Sequence, residues 1–305
     1  MPHEHAHHHH AIDPNAGDAK VLAAVGVNVA LTVVQMVAGV LSGSLALIAD
    51  AVHNLSDAAS LGIAFFARKI ARRPRDEAMS FGYGRAELVA ALINFVTLIV
   101  VALWLAVEGV ARLIDPPAVE GWIVVIVAGI ALVIDLITAG LTWRLAKQSL
   151  NIRAAFLHNL ADALTSVAVI VGGTLILLFG WRMVDPIITI GISAYILRHA
   201  LRDIRPVIRI LMNGTPPDVG LSAVKAGIEA VDGVENAHHI HLWQMDENRI
   251  SLEAHLIIAE RHDSGRVLAD VKTLLAETFG IAHSTLEAEA PGAGCADQRS
   301  ESGHA

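Results

Sequence analysis

The sequence is short of charge, of cysteine and of aromatic side chains. Charged residues make up 17% of its 305 residues and its mean hydropathy is +0.54, whereas soluble globular domains carry about 25% charged residues. This composition excludes a disordered chain and argues against a purely soluble enzyme. The single cysteine, Cys295, excludes an internal disulfide and a thiolate-based zinc site. Lysine and arginine total 22 against 30 acidic residues, which is not the balance of a nucleic-acid-binding protein.

Long apolar runs account for the high hydropathy. A helix needs about 20 apolar residues to cross a bilayer, and six such runs fall before residue 205. They cover roughly 21–41, 45–67, 87–110, 121–142, 155–180 and 184–202. We therefore expect a membrane protein whose residues 20–206 form an all-α bundle of six transmembrane helices.

Basic residues concentrate at one side of these runs. Fourteen lysines and arginines lie on the side that holds both termini, and only Arg112 and Arg182 lie on the other. Because cytoplasmic segments carry the excess of basic residues, both termini are predicted to be cytoplasmic. The N-terminus lacks the basic start and short apolar core of a secretory signal peptide. Compactness and short connecting segments favour a bacterial inner membrane.

The composition changes after about residue 207. Residues 210–305 carry 15 acidic and 6 basic residues, as expected for a soluble segment. Local patterns predict, in order, a helix at Pro217–Val231, strands at Asn236–Met245 and Arg249–Ala259, a helix at Ser264–Phe279 and a strand at Ile281–Glu289. This order predicts a cytoplasmic α+β domain of the ferredoxin-like type at residues 207–290. The Gly-, Ser- and Ala-rich tail at 291–305 is expected to be disordered.

Histidine is abundant, and six of the 16 histidines crowd residues 3–10 of a predicted cytoplasmic tail, 1–19. This run can collect metal ions at the cytoplasmic side of the membrane. An expression tag is the competing interpretation. Glu4 and Ala6 interrupt the run and favour a native metal-binding segment.

One six-residue pattern occurs in two of the apolar runs. The second run contains HNLSDA at 53–58, and the fifth contains HNLADA at 158–163. In each copy the histidine and the aspartate are four residues apart, so they share one face of a helix. Asn54 and Asn159 are better suited to hydrogen bonds between helices than to metal ligation.

The two copies together offer His53, Asp57, His158 and Asp162 at membrane depth. A buried aspartate there costs about 2.5–3.5 kcal/mol and needs a compensating charge. If the two faces meet, two imidazoles and two carboxylates suit a tetrahedral divalent ion, zinc above all. Structural hydrogen bonds are the alternative, but they need no duplicated pattern. Asp50 is a hydrogen-bond acceptor for His53, a proton relay or a bystander at the helix entrance.

Further motifs accompany these copies: SFGYGRAE at 80–87, VDP at 184–186, LMNGTP at 211–216 and HHIHLW at 238–243. With the two His-x-x-x-Asp motifs, they make residues 20–290 similar to the cation diffusion facilitator family, in its zinc-transporting branch. The resemblance implies a homodimer of six-helix transporters with cytoplasmic ferredoxin-like domains. It also implies export of zinc from the cytoplasm in exchange for protons by alternating access.

The resemblance places the transport site at His53, Asp57, His158 and Asp162. Imidazole titrates within the physiological pH range, so metal and protons can exchange there. Nitrogen ligands disfavour Mg²⁺ and Ca²⁺ and leave Zn²⁺, Cd²⁺, Co²⁺ and Ni²⁺ as cargo. The Gly-x-x-x-x-Gly-Lys-Ser/Thr motif of ATP-binding loops does not occur in the sequence.

The resemblance also implies a regulatory zinc ion in the cytoplasmic domain, at positions matching His238, His255 and His283. A histidine on an apolar sheet is otherwise structural. In the loop before the third run, Met79 and Tyr83 stand where some members of the family have histidines, so a loop metal site is not expected.

A second departure concerns the segment after the sixth run. Asn213 stands where the family often has an acidic partner for the basic residue at Arg85, which puts that salt bridge in doubt.

Several function classes fit a membrane metal site. The leading hypothesis is a proton-coupled zinc exporter with a second copy of the chain, Zn²⁺, protons and the lipid bilayer as partners. A membrane metal sensor or scaffold would bind zinc without moving it, and a passive cation channel would lack proton coupling. The chain has neither a His-Glu-x-x-His motif nor a nucleophile elbow, so an enzyme is not expected.

Overall fold

The computed structural model of the protein describes residues 14–143 and 150–292. Within these ranges the side chains of some helical residues, including Asp57 and His158, are outside the description. The chain forms two compact units. The helical unit comprises the described residues of Met1–Ile63 and Asn94–Arg202, and the sheet unit comprises those of Ala64–Ile93 and Asp203–Ala305. The histidine run at 3–10 and most of the tail at 291–305 lie outside the described residues.

Six helices occupy the first two thirds of the described chain. They are α1 (Pro14–Ser42), α2 (Leu45–Ala71), α3 (Ala86–Ile114), α4 (Gly121–Trp143), α5 (Leu150–Phe179) and α6 (Val184–Leu211). Four helical segments are long and apolar enough to cross a membrane, namely Ala86–Ile114, Gly121–Gly140, Leu160–Phe179 and Val184–Leu211. Val29–Ser42 and Leu45–Ser56 are shorter apolar stretches. The chain is thus a multi-pass membrane protein, and the count of six spans stays a prediction.

The helical unit is apolar outside and partly polar inside. Val100, Val107 and Trp122 are each at least 60% exposed, which suits side chains that face lipid tails. Leu45, Leu105 and Ile196 belong to the buried apolar core. Buried polar residues share the interior with them: Gln35, Asp50, His53, Asp162, Ser166 and Ser193. Polar groups placed inward in a membrane bundle mark a candidate functional site.

The sheet unit contains α7 (Leu221–Glu229), β1 (Val234–Gln244), β2 (Ile250–Ile258), α8 (Ser264–Phe279) and β3 (His283–Glu289). This is the predicted order of elements, which the structure confirms. The strands lie in the order β1-β2-β3, with β1 antiparallel and β3 parallel to β2. Buried residues of α7 and α8, such as Ile228 and Leu275, pack with Leu252 and Leu256 of β2 in one core.

The ends of the two helices in the sheet unit follow from local sequence. Helix α8 begins as predicted because the Asp263 carboxylate accepts the Arg266 N–H at 2.8 Å. It ends at Gly280, whose φ of 68° lies in the left-handed region. Helix α7 begins at Leu221 rather than at Pro217. Residues 217–219 form a turn, and Gly220 is the N-cap with an extended backbone, so the helix starts after them.

A β-bulge interrupts β1 near its centre. His238 pairs with His255, and His241 pairs with Glu253. The two histidines of β1 are three residues apart, whereas their partners in β2 are two residues apart. The extra residue is accommodated where His239 adopts a φ of 48°. As a result, histidines that strict alternation would place on opposite faces share the sheet face that α7 and α8 leave uncovered.

Candidate metal centres

The interior of the helical unit brings together one residue from each copy of the duplicated motif. His53 of α2 and Asp162 of α5 meet with His53 Nε2 and Asp162 Oδ1 3.1 Å apart. Their side chains are 4% and 9% exposed, so the pair is shielded from bulk water. Asp57 and His158 belong to the same two helices, but their side chains are outside the description. The complete four-residue site therefore stays a prediction.

Asp50 joins a hydrogen-bonded chain between α1 and α2. Gln35 Nε2 donates to Asp50 Oδ2 at 2.7 Å, and Asn54 Nδ2 donates to Gln35 Oε1 at 3.1 Å. The predicted role of Asn54 in a hydrogen bond between helices is confirmed. Asp50 itself is fully buried, which does not fit a bystander at the helix entrance, and its role as an acceptor or relay stays a prediction.

Two aromatic rings extend this site along α6. The ring of Tyr195 lies edge-on to His53, with centroids 6.1 Å apart, and it stacks on His199 at 6.3 Å. Sequence reasoning missed Tyr195, because one tyrosine within an apolar run carries no positional signal. Ser166 of α5 donates to Asp135 of α4 at 3.3 Å, so a further carboxylate lies within the helical unit.

The gap between His53 and Asp162 can be closed by a proton or by a metal ion. At 3.1 Å, Nε2 and Oδ1 are at hydrogen-bond distance. A tetrahedral zinc ion with bonds of about 2.0–2.1 Å holds two ligands about 3.3 Å apart. The two states therefore differ by only a few tenths of an ångström. Metal binding also requires an imidazole lone pair and an ionised carboxylate, so binding a metal displaces the shared proton.

A second candidate centre lies on the uncovered face of the sheet. His238 Nε2 is 3.2 Å from Glu289 Oε2, and His255 Nδ1 is 2.9 Å from Glu289 Oε1. One ligand atom from each of these three residues lies within 4.8 Å of the others. Among the described residues, these three form the one group of at least three histidine, cysteine or acidic side chains that is close enough to hold a metal ion. We call it the inner triad.

The structure does not bring His283 to the inner triad. His283 is the first residue of β3 and Glu289 the last, and a rise of about 3.3 Å per residue separates the two by about 20 Å. The His283 ring instead contacts Phe81, with centroids 6.4 Å apart. Sequence reasoning considered only histidines here and missed Glu289. Its position two residues after Glu287 puts both glutamates on one face of the last strand, but it does not show which of them reaches the histidines.

In the loop before α3, Asp76 is held by hydrogen bonds, and its partners are not histidines. Its carboxylate accepts hydrogen bonds from the Tyr83 hydroxyl at 2.7 Å and from the Met79 and Ala78 N–H groups at 2.8 and 3.0 Å. The hydroxyl of Tyr83 is the main reason that the pKa of Asp76 is lowered. The same contact raises the pKa of Tyr83. Asp76 thus organises the loop through hydrogen bonds.

A neutral contact stands where the family often has a salt bridge. The Arg85 guanidinium donates from Nη2 to Asn213 Oδ1 at 2.5 Å and from Nε to the Met245 carbonyl at 3.0 Å. The asparagine supplies an acceptor without a charge, as the sequence implied.

Comparison with known proteins agrees with this architecture. The family model described as the cation efflux transmembrane domain matches residues 21–212, and that of the cation efflux protein cytoplasmic domain matches residues 216–290. The chain belongs to the cation diffusion facilitator family. Its membership confirms the resemblance read from the motifs, including the zinc-transporting branch.

Curated members of the cation diffusion facilitator family are similar to this chain over most of their length. The metal cation efflux system protein CzcD of Cupriavidus metallidurans is 34% identical, over 93% of this chain and 89% of that protein. The zinc transporter ZitB of Escherichia coli is 32% identical, over 95% and 93%. The cadmium, cobalt and zinc/H(+)-K(+) antiporter of Bacillus subtilis is 34% identical, over 84% of each. The solved metal-bound C-terminal domain of CzcD is 32% identical over 23% of this chain and 99% of that structure, with a TM-score of 0.23.

Proposed function

We propose that this cation diffusion facilitator exports zinc from the cytoplasm in exchange for protons by alternating access. Cadmium, cobalt and nickel are further candidate cargo. The contact between His53 and Asp162, 3.1 Å apart in the interior of the helical unit, carries the proposal. Relatives described as zinc transporters and as a cadmium, cobalt and zinc antiporter support the choice of cargo and of exchange.

Four ligands complete the proposed transport site: His53, Asp57, His158 and Asp162. When the site is open to the cytoplasm, zinc takes the place of the proton that His53 and Asp162 share. When it is open to the other side, protons displace the ion. Asp50 accepts a hydrogen bond from Gln35, and through its position one turn before His53 it serves as a relay for the displaced proton.

The remaining features of the proposal concern assembly and location. The transporter works as a homodimer in a bacterial inner membrane, with both termini in the cytoplasm, which the excess of basic residues on that side supports. The match to a family model named for dimerisation and a cytoplasmic domain supports the same arrangement. In that domain, His238 and His255 hold a regulatory zinc ion, with Glu289 in the third position that the sequence assigned to His283.

Zinc flux into proteoliposomes under an imposed pH step tests the proposal. Asp162→Asn keeps the size of the side chain but removes the anionic ligand. We expect at least about a tenfold loss of flux, because even groups behind a metal ligand change affinity by 10–100-fold. Asp115→Asn is the matched control at an exposed position between α3 and α4 and should transport normally.

Three outcomes would contradict the proposal. Unchanged flux in Asp162→Asn would remove the carboxylate from the site. Flux that ignores the pH step would indicate a passive channel. Zinc binding without flux would favour a sensor or scaffold, the function that the inner triad alone would support.

A further inference from the structure

An open cavity of about 880 Å³ lies within the sheet unit. Its walls are formed by the loop between α2 and α3, by the turn between β1 and β2, and by the residues at the start of β3. Direct contacts join these walls, since the Arg85 guanidinium donates to the Met245 carbonyl at 3.0 Å and the ring centroids of Phe81 and His283 are 6.4 Å apart. Ligand pockets in proteins have volumes of about 300–1,000 Å³, so this cavity is large enough for a small molecule or a lipid headgroup.

Three arginines of the loop line this cavity, namely Arg72, Arg73 and Arg75, and all three are exposed. Within the described ranges, their guanidinium groups take part in no ion pair. A guanidinium group matches the geometry of a phosphate and binds it through two parallel hydrogen bonds. The loop therefore presents three phosphate-binding groups that no carboxylate of the described chain neutralises by direct contact.

Carboxylates also line the cavity, but they are fewer than the arginines. Asp246 is already engaged, because it accepts Arg249 Nε at 2.6 Å and the Asn248 N–H at 3.0 Å. Glu87 and Glu247 are the other two carboxylates of the wall. With Arg249 and Asp246 paired, three loop arginines stand against two carboxylates, and this balance favours an anionic ligand.

The loop is continuous with a helix that is suited to cross the membrane. Helix α3 begins directly after the loop, and its segment Ala86–Ile114 is long and apolar enough to span a bilayer. Five basic residues fall between 68 and 75, in the last turn of α2 and just beyond it. Basic clusters of this size beside a membrane helix are typical of binding to anionic lipid headgroups. Phe81 lines the same cavity and is 63% exposed, so it offers apolar surface beside the arginines.

We propose that this cavity, the headgroup site, binds one anionic phospholipid. Arg72, Arg73 and Arg75 hold the phosphate, and the ring of Phe81 contacts the glycerol and the upper part of an acyl chain. A lipid with a net negative charge binds better than a zwitterionic one, because the second lipid brings its own cation to a wall that is already positive. The inference does not rest on transport, since it needs only a protein that lies in a membrane.

Native mass spectrometry of the full-length protein in detergent, with phosphatidylglycerol added, tests the headgroup site. It gives the number of lipids bound per chain and their affinity. Phosphatidylcholine carries the same phosphate without a net charge, and inorganic phosphate, added as a competitor, has neither glycerol nor acyl chains. The variants Arg72→Gln, Arg73→Gln and Arg75→Gln each remove one guanidinium group from the exposed loop. Arg261→Gln is the matched control, because it removes an exposed arginine elsewhere in the sheet unit.

We expect one phosphatidylglycerol per chain in the tightest class, bound more tightly than phosphatidylcholine. Each loop variant should weaken that binding by about fivefold, the factor that one basic residue contributes at an anionic lipid surface. The control should bind phosphatidylglycerol as the unaltered protein does. The loop side chains are exposed and unpaired, so all four variants should keep the same midpoint of thermal unfolding.

Three results would overturn the proposal. Equal affinity for the two lipids would remove the preference for an anionic headgroup. An unchanged affinity in the loop variants, or the same loss in Arg261→Gln, would leave only diffuse attraction between basic residues and lipid. Displacement of phosphatidylglycerol by an equal concentration of inorganic phosphate would make free phosphate the ligand. Because the readout is lipid binding, absent zinc flux would count against the proposed function only.

Discussion

The Ser44 hydroxyl donates a hydrogen bond of 2.5 Å to Asp185 Oδ1, so the first turn of α6 caps the first turn of α2. The Leu45 and Ala46 N–H groups donate to the same carboxylate at 2.8 and 3.4 Å. These groups are among the backbone donors that a helix start leaves without a partner, and the carboxylate also faces the positive end of the helix dipole. The helix that carries His53 is thereby anchored within the helical unit.

Replacing the capping carboxylate should weaken the helical unit. Asp185→Ala leaves the hydroxyl and two N–H groups buried without their acceptor, which costs about 1–3 kcal/mol for an unsatisfied buried group. We expect a lower midpoint of thermal unfolding in detergent, followed by tryptophan fluorescence. Asp185→Asn should lower the unfolding midpoint less, since its amide oxygen still accepts a hydrogen bond. Asp115→Ala, at an exposed position, serves as the control. If Asp185→Ala and this control have the same midpoint of thermal unfolding, the cap contributes nothing to stability.

The loop contact between Asp76 and Tyr83 predicts a specific titration. The pKa of Asp76 is lowered mainly by the Tyr83 hydroxyl. A carboxyl whose pKa is lower in the folded state contributes stability above its unfolded pKa, and this is lost as the pH falls through the folded pKa. Tyr83→Phe should therefore raise the pKa of Asp76 toward the ordinary aspartate value, measured by carbon NMR of the labelled carboxyl. Tyr195→Phe, which alters the second of the chain's 2 tyrosines, should leave it unchanged.

The features that could be predicted from the sequence are those that depend on local spacing. His53 and Asp162 were selected because each belongs to a His-x-x-x-Asp pair, and the i, i+4 spacing determines a helix face without knowledge of the tertiary fold. The order of elements in the sheet unit was likewise readable from capping residues and alternation. The start of α7 was not, since the effect of two consecutive prolines on the helix that follows depends on the turn they form.

What the sequence did not predict depends on strand register. Glu289 reaches His238 and His255 only because β3 pairs in parallel with β2 in one register, and a shift by one residue would turn it to the other face. The bulge at His239 is also invisible in the pattern, because a histidine with positive φ has no sequence signal comparable to a glycine. Neither the register of β3 nor the bulge in β1 can therefore be read from one amino-acid sequence.

The third prediction concerns the third ligand of the cytoplasmic metal site. The sequence predicts His283 at this position, whereas the structure places Glu289 beside the two histidines. Glu289→Gln removes the carboxylate that contacts both His238 and His255. It should weaken zinc binding by at least about tenfold, because even groups behind a metal ligand change metal affinity by 10–100-fold. His283→Gln, at the other end of β3, should leave that affinity unchanged. Competition with a zinc-responsive dye measures both variants, and the reverse ranking would restore His283 as the ligand.

The fourth prediction concerns the close approach of α4 and α5. A Cβ atom at Gly121 would lie 2.7 Å from Leu177 Cγ and 2.8 Å from the Gly173 carbonyl oxygen, distances that real contacts do not adopt. Small residues allow membrane helices to approach this closely, so Gly121→Ala should force the helices apart. We expect a loss of about 1–3 kcal/mol, as for other overpacked cores, seen as a lower unfolding midpoint.

Gly129 of the same helix provides a matched control for that substitution, because a Cβ atom there would meet nothing within 4 Å. Gly129→Ala should keep or raise the midpoint, since alanine favours a helix over glycine by about 1 kcal/mol. The two variants make the same chemical change in one helix, at its first residue and in its interior, and the new methyl group meets neighbouring atoms only at Gly121. Equal midpoints for both would show that α4 and α5 tolerate a wider separation and that the glycine at 121 is not required for their packing.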